Sequence, residues 1–320
     1  MADTELHVDM DTISRILGAP VLSIEPLIVV KGGSHSSIFT IRSKGSDYIL
    51  RIPKGQQGWQ TKYVQHKIPL SNWSDQQWAT DAAREAGIPA PEIVYSNRFA
   101  SESERFVIMT RLPGEHTFDY EEWNGGCPYD EREFGTILSK LHTVTPSGYG
   151  PIDDFGNTYF TTWAEFLTAA AEKMLEGCAK WNSLDTEVRR ALAAKWLPAL
   201  SKLHMERPAL LHLESLGYAN ILFDPGSRRI TGFLDFEDCI GGDPLFELDY
   251  MCHYYGPRGT PQPYFDYGRF EETYGIWPEN PHRSVLYRVF RYMYPLAGGQ
   301  LNSKMAIARN QEIAAYIDQL

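Results

Sequence analysis

The chain has 320 residues, of which 43% are hydrophobic, 13% aromatic and 22% charged, and its formal net charge is −11. A chain of this length and composition can bury a large core, which excludes a disordered protein. The acidic balance argues against a nucleic acid as the main partner and favours a cationic small molecule or a metal–nucleotide complex.

The chain contains four widely spaced cysteines and no CxxC motif: Cys127, Cys178, Cys239 and Cys252. This spacing predicts neither a disulfide framework nor a zinc site, and it favours a reducing, cytoplasmic compartment. The N-terminal segment MADTELHVDMDT is acidic, unlike a signal peptide, and no run of 18 apolar residues indicates a membrane span. We therefore expect no membrane partner.

The first third of the chain is rich in strand signals. Residues 26–53 contain three β-rich runs (PLIVV, IFTIRS and YILRIP) that are separated by polar connections containing glycine. A helix is predicted from Ser74 or Asp75 to Glu85, and the segments PEIVYSN and RFVIMTRL predict two further strands. Residues 1–112 are therefore predicted to form a lobe with an antiparallel sheet and one helix.

After a predicted hinge at residues 113–117, the pattern becomes helical. EREFGTILSKLHTV places four apolar residues on one helical face: Phe134, Ile137, Leu138 and Leu141. TTWAEFLTAAAEKMLEGCAKW and TEVRRALAAKWLPALSKLHM predict two more amphipathic helices, and the short strands ANILFD and ITGFLDF flank the turn PGSRR. The chain is again helical from about residue 245. We expect residues 113–320 to form a helical second lobe, and hence an α+β protein with two lobes.

The densest group of polar residues surrounds this predicted hairpin. Its members are His212, Glu214, Asn220, Asp235, Glu237, Asp238 and Asp243. Asn220 precedes one strand and Asp235 follows the next, so a tight hairpin would bring the two side chains close together. An amide oxygen and a carboxylate form part of a typical Mg²⁺ shell, which phosphate and water complete. The alternative is that these polar residues only flank a surface turn.

The motifs of this region resemble those of the aminoglycoside phosphotransferase family, the small-molecule relatives of protein kinases. The segments LGYANILFD, GFLDFED and GGDPLFELD match the family's catalytic loop, metal-binding motif and following helix start in order and spacing. KGGSHSSIFTI resembles its glycine loop, and AGIPAPEI and VIMTRLPGE resemble the stretch before its interlobe hinge. The resemblance implies a protein-kinase-like fold with a β-rich nucleotide-binding lobe and a helical lobe that carries the acceptor site.

The resemblance also implies roles for particular residues. Asp235 would be the metal-binding aspartate and Asn220 the second metal ligand, and both would belong to the catalytic site. Arg51 occupies the place of the lysine on the nucleotide-binding strand, and its charge can still hold phosphate. Four further residues would contact the nucleotide: Gly32, Gly33, Ser34 and Met109. The glycines would let the backbone approach the phosphates closely.

The position of the catalytic base departs from the family pattern. In that pattern a His is followed by any residue and then by the Asp that acts as the base, and an Asn lies five positions after this Asp. Counting forward from His212, the base position is Glu214, whereas counting back from Asn220 it is Ser215. Glutamate is a carboxylate that reaches about one methylene further than aspartate, whereas a serine hydroxyl is a poor proton acceptor. Both residues stay candidates for the catalytic position.

A second departure concerns the helix glutamate that pairs with the strand base in the family. The expected position holds Gln76, and three acidic residues are alternatives: Asp75, Asp81 and Glu85. The partner of Arg51 is therefore left unassigned.

Other residues near the site have open or structural interpretations. His212 is expected to hold the catalytic loop by hydrogen bonds, and Asp243 to cap the helix that Pro244 begins. The aromatic residues of segment 254–268 line an acceptor pocket or belong to the core, and both alternatives stay open.

The sequence thus predicts a kinase of small molecules that moves the γ-phosphate of ATP or GTP, with Mg²⁺, to a hydroxyl group. The acceptor is expected to be an antibiotic or a related natural product that carries positive charge. One alternative is a nucleotide- or ligand-binding pseudoenzyme, motivated by the altered base position. The other is a metabolic kinase for a choline-type or amino-sugar substrate.

Overall fold

A computed structural model shows an antiparallel sheet followed by a mainly helical half, which confirms the predicted α+β class. The structure describes residues 8–27, 36–53, 77–97, 99–100, 104–117, 127–213, 220–255, 259, 265–299 and 301–320. Within these ranges, we find no helix with the length and apolar character that crossing a bilayer requires.

The sheet of the first half contains five strands among the described residues, in the order β1-β2-β3-β5-β4. Their bounds are Val21–Pro26 (β1), Ser36–Ser43 (β2), Asp47–Pro53 (β3), Ile93–Ser96 (β4) and Val107–Thr110 (β5). The first strand lies earlier than predicted: β1 begins at Val21 and its last residue, Pro26, pairs with Phe39 of β2. β3 is central and pairs with both β2 and β5, so Arg51 has a fixed position in the sheet.

The structure has a short N-terminal helix that the sequence analysis did not predict, α1 (Met10–Leu17). The Asp9 carboxylate caps it by accepting a hydrogen bond from the Thr12 N–H at 2.7 Å, and Gly18 ends it in the left-handed conformation. Ile13 is completely buried in the hydrophobic cluster beneath the sheet. Both capping signals are present in the sequence, but a helix of eight residues contains too few turns for its periodicity to stand out.

The segment predicted as a hinge contains a strand instead, β6 (Glu115–His116). It pairs with β10 (Ile221–Phe223), which also pairs with β11 (Ile230–Phe233). Gly114 permits this approach, because a Cβ atom there would lie only 2.9 Å from the Phe223 carbonyl oxygen. The hairpin between the predicted metal ligands is therefore tied by backbone hydrogen bonds to the chain that leaves the sheet.

The helical half follows the predicted order. Its helices are α3 (Glu131–Leu141), α4 (Trp163–Trp181), α5 (Thr186–Ala191), α6 (Leu197–Leu200), α7 (Pro244–Tyr255), α8 (Tyr267–Tyr274), α9 (Pro281–Ala297) and α10 (Ser303–Ile317), with α2 (Gln77–Glu85) in the first half. Its other strands are β7 (Tyr149–Ile152), β8 (Thr158–Phe160), β9 (Ala209–His212) and β12 (Cys239–Gly242). The predicted apolar face of α3 is buried as expected. A π-helical turn (Leu192–Trp196) separates α5 from α6, where Pro198 lacks the N–H of a regular helix.

Two hydrophobic clusters organise the described residues. The smaller lies between α1 and the five-stranded sheet, and the larger fills the helical half. Ala79 and Ala83 of α2 belong to the larger cluster, and the Phe233 N–H donates a hydrogen bond to the Pro89 carbonyl at 2.7 Å. The helix of the first half therefore packs against the second half. A domain boundary between residues 112 and 113 stays a prediction.

Candidate active site

The hairpin of β10 and β11 brings the two predicted metal ligands to one end of a small sheet. Ile221 pairs with Phe233, and beyond this pair the Leu234 N–H donates a hydrogen bond to the Asn220 carbonyl at 2.9 Å. Asn220 therefore lies across from Leu234, next to Asp235. The β-rich runs on either side of PGSRR fold locally into this hairpin, as the sequence predicts.

Asp235 has an unusual backbone conformation. Its φ and ψ are 65° and 63°, in the left-handed region, and a 3₁₀ turn (Phe236–Asp238) follows it. A residue other than glycine costs roughly 1–2 kcal/mol in this region, and such costs recur at functional sites. The Phe236 ring is buried with its centroid 4.5 Å from that of His212, so the turn is anchored by packing. The Asp235 side chain keeps 35% of its surface exposed.

Arg51 of β3 reaches this turn from the sheet. Its Nη1 lies 3.6 Å from Asp235 Oδ1, its Nη2 donates to Glu237 Oε2 at 2.5 Å, and its Nε donates to Ser36 Oγ at 2.9 Å. The side chain of Arg51 is only 11% exposed and that of Glu237 only 5%. The structure thus brings together Arg51 and Asp235, which the sequence analysis assigned separately to the nucleotide and to the metal.

The sequence analysis did not propose Glu237 as the partner of Arg51. The helix α2, expected to provide the partner, directs its Asp81 carboxylate to Gln77 Nε2 at 2.7 Å and to Arg84 at 3.8 Å. Asp75 and Gln76 lie outside the described residues. The position of Glu237, two residues after Asp235, was the available signal. Its pairing with a residue 186 positions away depends on the tertiary fold.

A buried hydrogen-bond network supports the hairpin from the helical half. His212 Nε2 lies 3.0 Å from the Leu234 carbonyl oxygen, which can only accept, so this nitrogen carries the proton. Glu247 Oε2 accepts from the His212 backbone N–H at 3.2 Å and lies 2.9 Å from His142 Nε2. The His212 ring therefore fixes the carbonyl of the residue before Asp235. Residues 214–219 of the predicted catalytic loop lie outside the described residues, so the role of His212 in holding that loop stays a prediction.

Tyr274 completes this network. Its hydroxyl oxygen lies 2.9 Å from His142 Nδ1, and burial raises the pKa of Tyr274 so that the hydroxyl stays protonated. The His142 ring thus connects the Tyr274 hydroxyl, at Nδ1, with the Glu247 carboxylate, at Nε2. Glu247 is completely buried, and its Oε2 lies within hydrogen-bond distance of both the His212 backbone nitrogen and His142 Nε2.

Asp243 has the structural role that the sequence predicted. Its Oδ1 accepts from the Leu245 N–H at 3.0 Å, which caps α7 as expected, and its Oδ2 accepts from Arg283 at 2.7 Å and from the Tyr287 hydroxyl at 2.6 Å. Burial raises the pKa of Tyr287, and the neighbouring Asp243 carboxylate adds to the effect. This carboxylate is enclosed by donors, so it holds the helical half together.

The remaining predictions are tested only in part. Met109 lies in β5, paired with Ile49 and Ile93, and is half-buried. Several predicted site residues lie outside the described residues: Gly32, Gly33, Ser34, Glu214 and Ser215. Of the aromatic segment 254–268, Phe265 and Tyr267 belong to the larger hydrophobic cluster, which favours the core interpretation for these two side chains.

The donor set at the hairpin is suited to a hard cation rather than to zinc. Within the described ranges, no group of three or more His, Cys, Asp and Glu side chains could hold a metal. Asp235 Oδ1 is buried and accepts no hydrogen bond from the described part of the chain. One carboxylate and one neighbouring amide match an ion such as Mg²⁺, which takes one or two protein ligands and completes its shell with phosphate and water.

A family model described as the phosphotransferase enzyme family, APH, matches residues 27–283. The chain belongs to this family. The match covers β2 to β5 of the sheet, α2, the hairpin with Asp235, and α3 to α8, and it begins just after β1. The recognised family motifs and the cluster around Arg51 therefore lie within the same matched region.

Two curated proteins are similar to part of the chain. The chain is 25% identical to hygromycin-B 4-O-kinase from Escherichia coli over 230 residues, which are 71% of this chain and 61% of that protein. It is 24% identical over 233 residues to acyl-CoA dehydrogenase family member 11 from Gallus gallus, covering 70% of this chain and 27% of that protein. The chain thus spans less than two thirds of the length of both curated relatives.

A solved structure shares the fold over nearly the whole chain. It is a thermostable mutant of aminoglycoside phosphotransferase APH(4)-Ia in ternary complex with AMP-PNP and hygromycin B. The TM-score is 0.66, the identity 21%, and the alignment covers 97% of both chains. This likeness confirms the predicted kinase-like fold.

Proposed function

We propose that the protein is an O-phosphotransferase that moves the γ-phosphate of ATP or GTP to a hydroxyl group of a small molecule. The observation that carries this proposal is the meeting of Arg51 with Asp235 at the end of the hairpin. Phosphoryl transfer depends mainly on positioning and on neutralising charge, rather than on covalent chemistry by the protein. A guanidinium beside an accessible carboxylate provides one group for phosphate and one for a metal.

In this proposal Asp235 and Asn220 hold Mg²⁺. The buried Oδ1 of Asp235 and the hairpin register that sets Asn220 beside it support the assignment. When bound, Mg²⁺ neutralises negative charge on the phosphates of the nucleotide. The left-handed backbone of Asp235 and the packing of Phe236 hold the carboxylate in place before any ligand arrives.

The nucleotide lies against the sheet in this proposal. Arg51 binds phosphate, and the other contacts come from Met109 and from the glycine loop with Gly32, Gly33 and Ser34. The complex of the structural neighbour with AMP-PNP supports a nucleotide as donor. Glu214 accepts the proton of the acceptor hydroxyl, and Ser215 is the alternative occupant of that position.

The acceptor is proposed to be an antibiotic or a related natural product with positive charge. Its support is the similarity to hygromycin-B 4-O-kinase, the hygromycin B bound to the structural neighbour, and the net charge of −11. A cytoplasmic location belongs to the same proposal. All four cysteines lie within the described residues and none forms a disulfide, which fits a reducing compartment.

A transfer assay tests the function. The chain is incubated with Mg²⁺ and ATP or GTP over a panel of aminoglycosides, peptide antibiotics, macrolides, nucleosides, choline and amino sugars, and products are detected by mass. We expect one acceptor class to gain a single phosphate, and we expect Asp235→Asn to abolish that product. A product on choline or an amino sugar would instead favour the metabolic kinase. Nucleotide binding without any product would favour the pseudoenzyme.

A further inference from the structure

Glu237 makes the shortest contact with Arg51 among the described residues, and the sequence holds Gln76 at the position where a helix glutamate is expected. We propose that Glu237 is the positioning residue for Arg51, an inference that rests on the proposed function. Glu237 belongs to the turn that carries Asp235. One short segment would therefore provide the metal ligand and also orient the phosphate-binding guanidinium.

The geometry of the turn makes this double role possible. Asp235 and Glu237 flank Phe236, whose ring is buried against His212, so both carboxylates remain on the side of the turn that faces β3. The left-handed conformation of Asp235 redirects the chain immediately before Phe236. A substitution that unseats Phe236 would therefore disturb both carboxylates at once.

Among the described residues, three groups from two parts of the chain surround the guanidinium. Ser36, at the start of β2, accepts from Nε at 2.9 Å, and Glu237 accepts from Nη2 at 2.5 Å. Asp235 lies further away, at 3.6 Å from Nη1. A planar guanidinium held at Nε and at Nη2 has a fixed orientation, because its donors lie in one rigid plane. The Nη1 edge is thereby directed to the carboxylate that we assign to the metal.

Burial separates the roles of the two carboxylates. The side chain of Glu237 is 5% exposed and makes the shorter contact with Arg51, whereas that of Asp235 is 35% exposed. A buried carboxylate in contact with arginine is stabilised as an ion pair, and removing one partner leaves an uncompensated charge. Asp235 retains the access that a metal and a phosphate require. We therefore assign Glu237 to Arg51 and Asp235 to the metal.

The alternative role for Glu237 is that of a further metal ligand, and nucleotide binding without Mg²⁺ separates the two. We compare the full chain with Glu237→Gln, Arg51→Met and the double variant, and we measure the Kd of ATP and GTP by calorimetry in EDTA and in Mg²⁺. We expect Glu237→Gln to weaken binding on the order of 10–100-fold in both conditions, as when other residues that orient a binding group are removed. We expect the double variant to bind no worse than Arg51→Met, because Glu237 acts through Arg51.

Glu131→Gln is the matched control, because Glu131 is also a buried carboxylate beside an arginine, with its Oε2 3.5 Å from Arg269 Nε. We expect its nucleotide affinity to equal that of the wild type. The kinetic readout is a raised KM for the nucleotide in Glu237→Gln with an unchanged KM for the acceptor. Melting temperatures identify any variant that fails to fold. If a single variant fails because it leaves an unpaired buried charge, the double variant still provides a test, because it removes both charges.

Three results would overturn the inference. The first is a nucleotide affinity of Glu237→Gln in EDTA that equals that of the wild type. The second is a loss of affinity that appears only with Mg²⁺ and recovers at higher Mg²⁺ concentration. The third is a double variant whose loss of affinity is the product of the losses in the two single variants. The proposed function fails separately, if the wild type itself neither binds a nucleotide nor transfers phosphate.

Discussion

Two arginine–carboxylate clusters lie near the two ends of β12, and they differ in what surrounds the carboxylates. Beside Arg283, both carboxylate oxygens of Asp243 accept hydrogen bonds, and the Asp243 side chain is only 2% exposed. Around Arg51, the Asp235 carboxylate keeps about a third of its surface exposed, at a longer distance from the arginine. Both clusters pair an arginine with an aspartate, so the residue types alone do not distinguish a carboxylate that stabilises the fold from one that can bind a ligand. A carboxylate whose donors are all provided by the protein stabilises the fold, and one that remains accessible can bind a ligand.

The largest effect on stability is expected from Asp243→Ala. The change removes the cap of α7, the partner of Arg283 and the acceptor of the Tyr287 hydroxyl. Breaking a buried ion pair by removing one partner costs about 3–5 kcal/mol. We expect the free energy of unfolding, measured by urea denaturation, to fall by about this amount. A fall of less than about 1 kcal/mol, the scale of a surface pair, would show that the enclosed cluster does not stabilise the fold.

Asp235→Asn is expected to lower activity and to leave stability nearly unchanged. The change keeps the volume of the side chain but removes the charge on an accessible carboxylate. We expect kcat to fall on the order of 100–1000-fold, as for the loss of other groups that stabilise charge in a transition state. We expect the melting temperature to change little. A stability loss as large as that of Asp243→Ala would contradict the distinction between the two clusters.

An intermediate effect is expected from Glu247→Gln, because Glu247 connects the helical half to the hairpin. Oε2 of Glu247 contacts both the His212 N–H and His142 Nε2, and the single oxygen of the variant can take over both contacts, but the variant also places an amide NH₂ in a completely buried site. A buried polar group without a suitable partner costs about 1–3 kcal/mol. We expect the free energy of unfolding to fall by this amount, and kcat to fall with it because His212 holds the carbonyl before Asp235. His142→Gln is the companion variant, which removes the imidazole and leaves the bond to His212.

Local patterns predicted the elements whose signals lie close together in the sequence. The buried face of α3 follows from apolar residues at helical spacing, and the hairpin from two β-rich runs around PGSRR. The sequence analysis also assigned roles to Asp235, Asn220 and Arg51 from the family motifs, and the structure brings Arg51 and Asp235 within 3.6 Å of each other. The ion pair between Arg51 and Glu237 joins residues 186 positions apart, and β6 contains only two residues that pair with a distant hairpin. Such features depend on the assembled fold, so no local pattern could predict them.

The smallest effect is expected at the start of α3, where a partly exposed carboxylate caps the helix and contacts an arginine of α8. Asp130 Oδ1 accepts from the Arg132 N–H at 3.0 Å and from Arg269 Nη2 at 2.9 Å. Burial alone would raise the pKa of Asp130, but the hydrogen bonds from Arg269 and from the Arg132 backbone outweigh it and hold the pKa below the usual 3.8. Loss of a helix cap costs about 1 kcal/mol, so Asp130→Ala should lower the free energy of unfolding by about that amount at pH 7.

The pH dependence of this difference identifies its origin. A carboxyl group whose pKa is lower in the folded state binds fewer protons there than in the unfolded chain. Its stabilisation is therefore complete above the unfolded pKa and is lost as the pH falls through the folded value. We expect the difference between the wild type and Asp130→Ala to be constant from pH 7 to pH 5 and to shrink below pH 3.8. Urea denaturation at each pH measures it, and Asp318→Asn near the C-terminus is the control. A difference that persisted unchanged at the lowest pH would assign the effect to packing rather than to the charged cap.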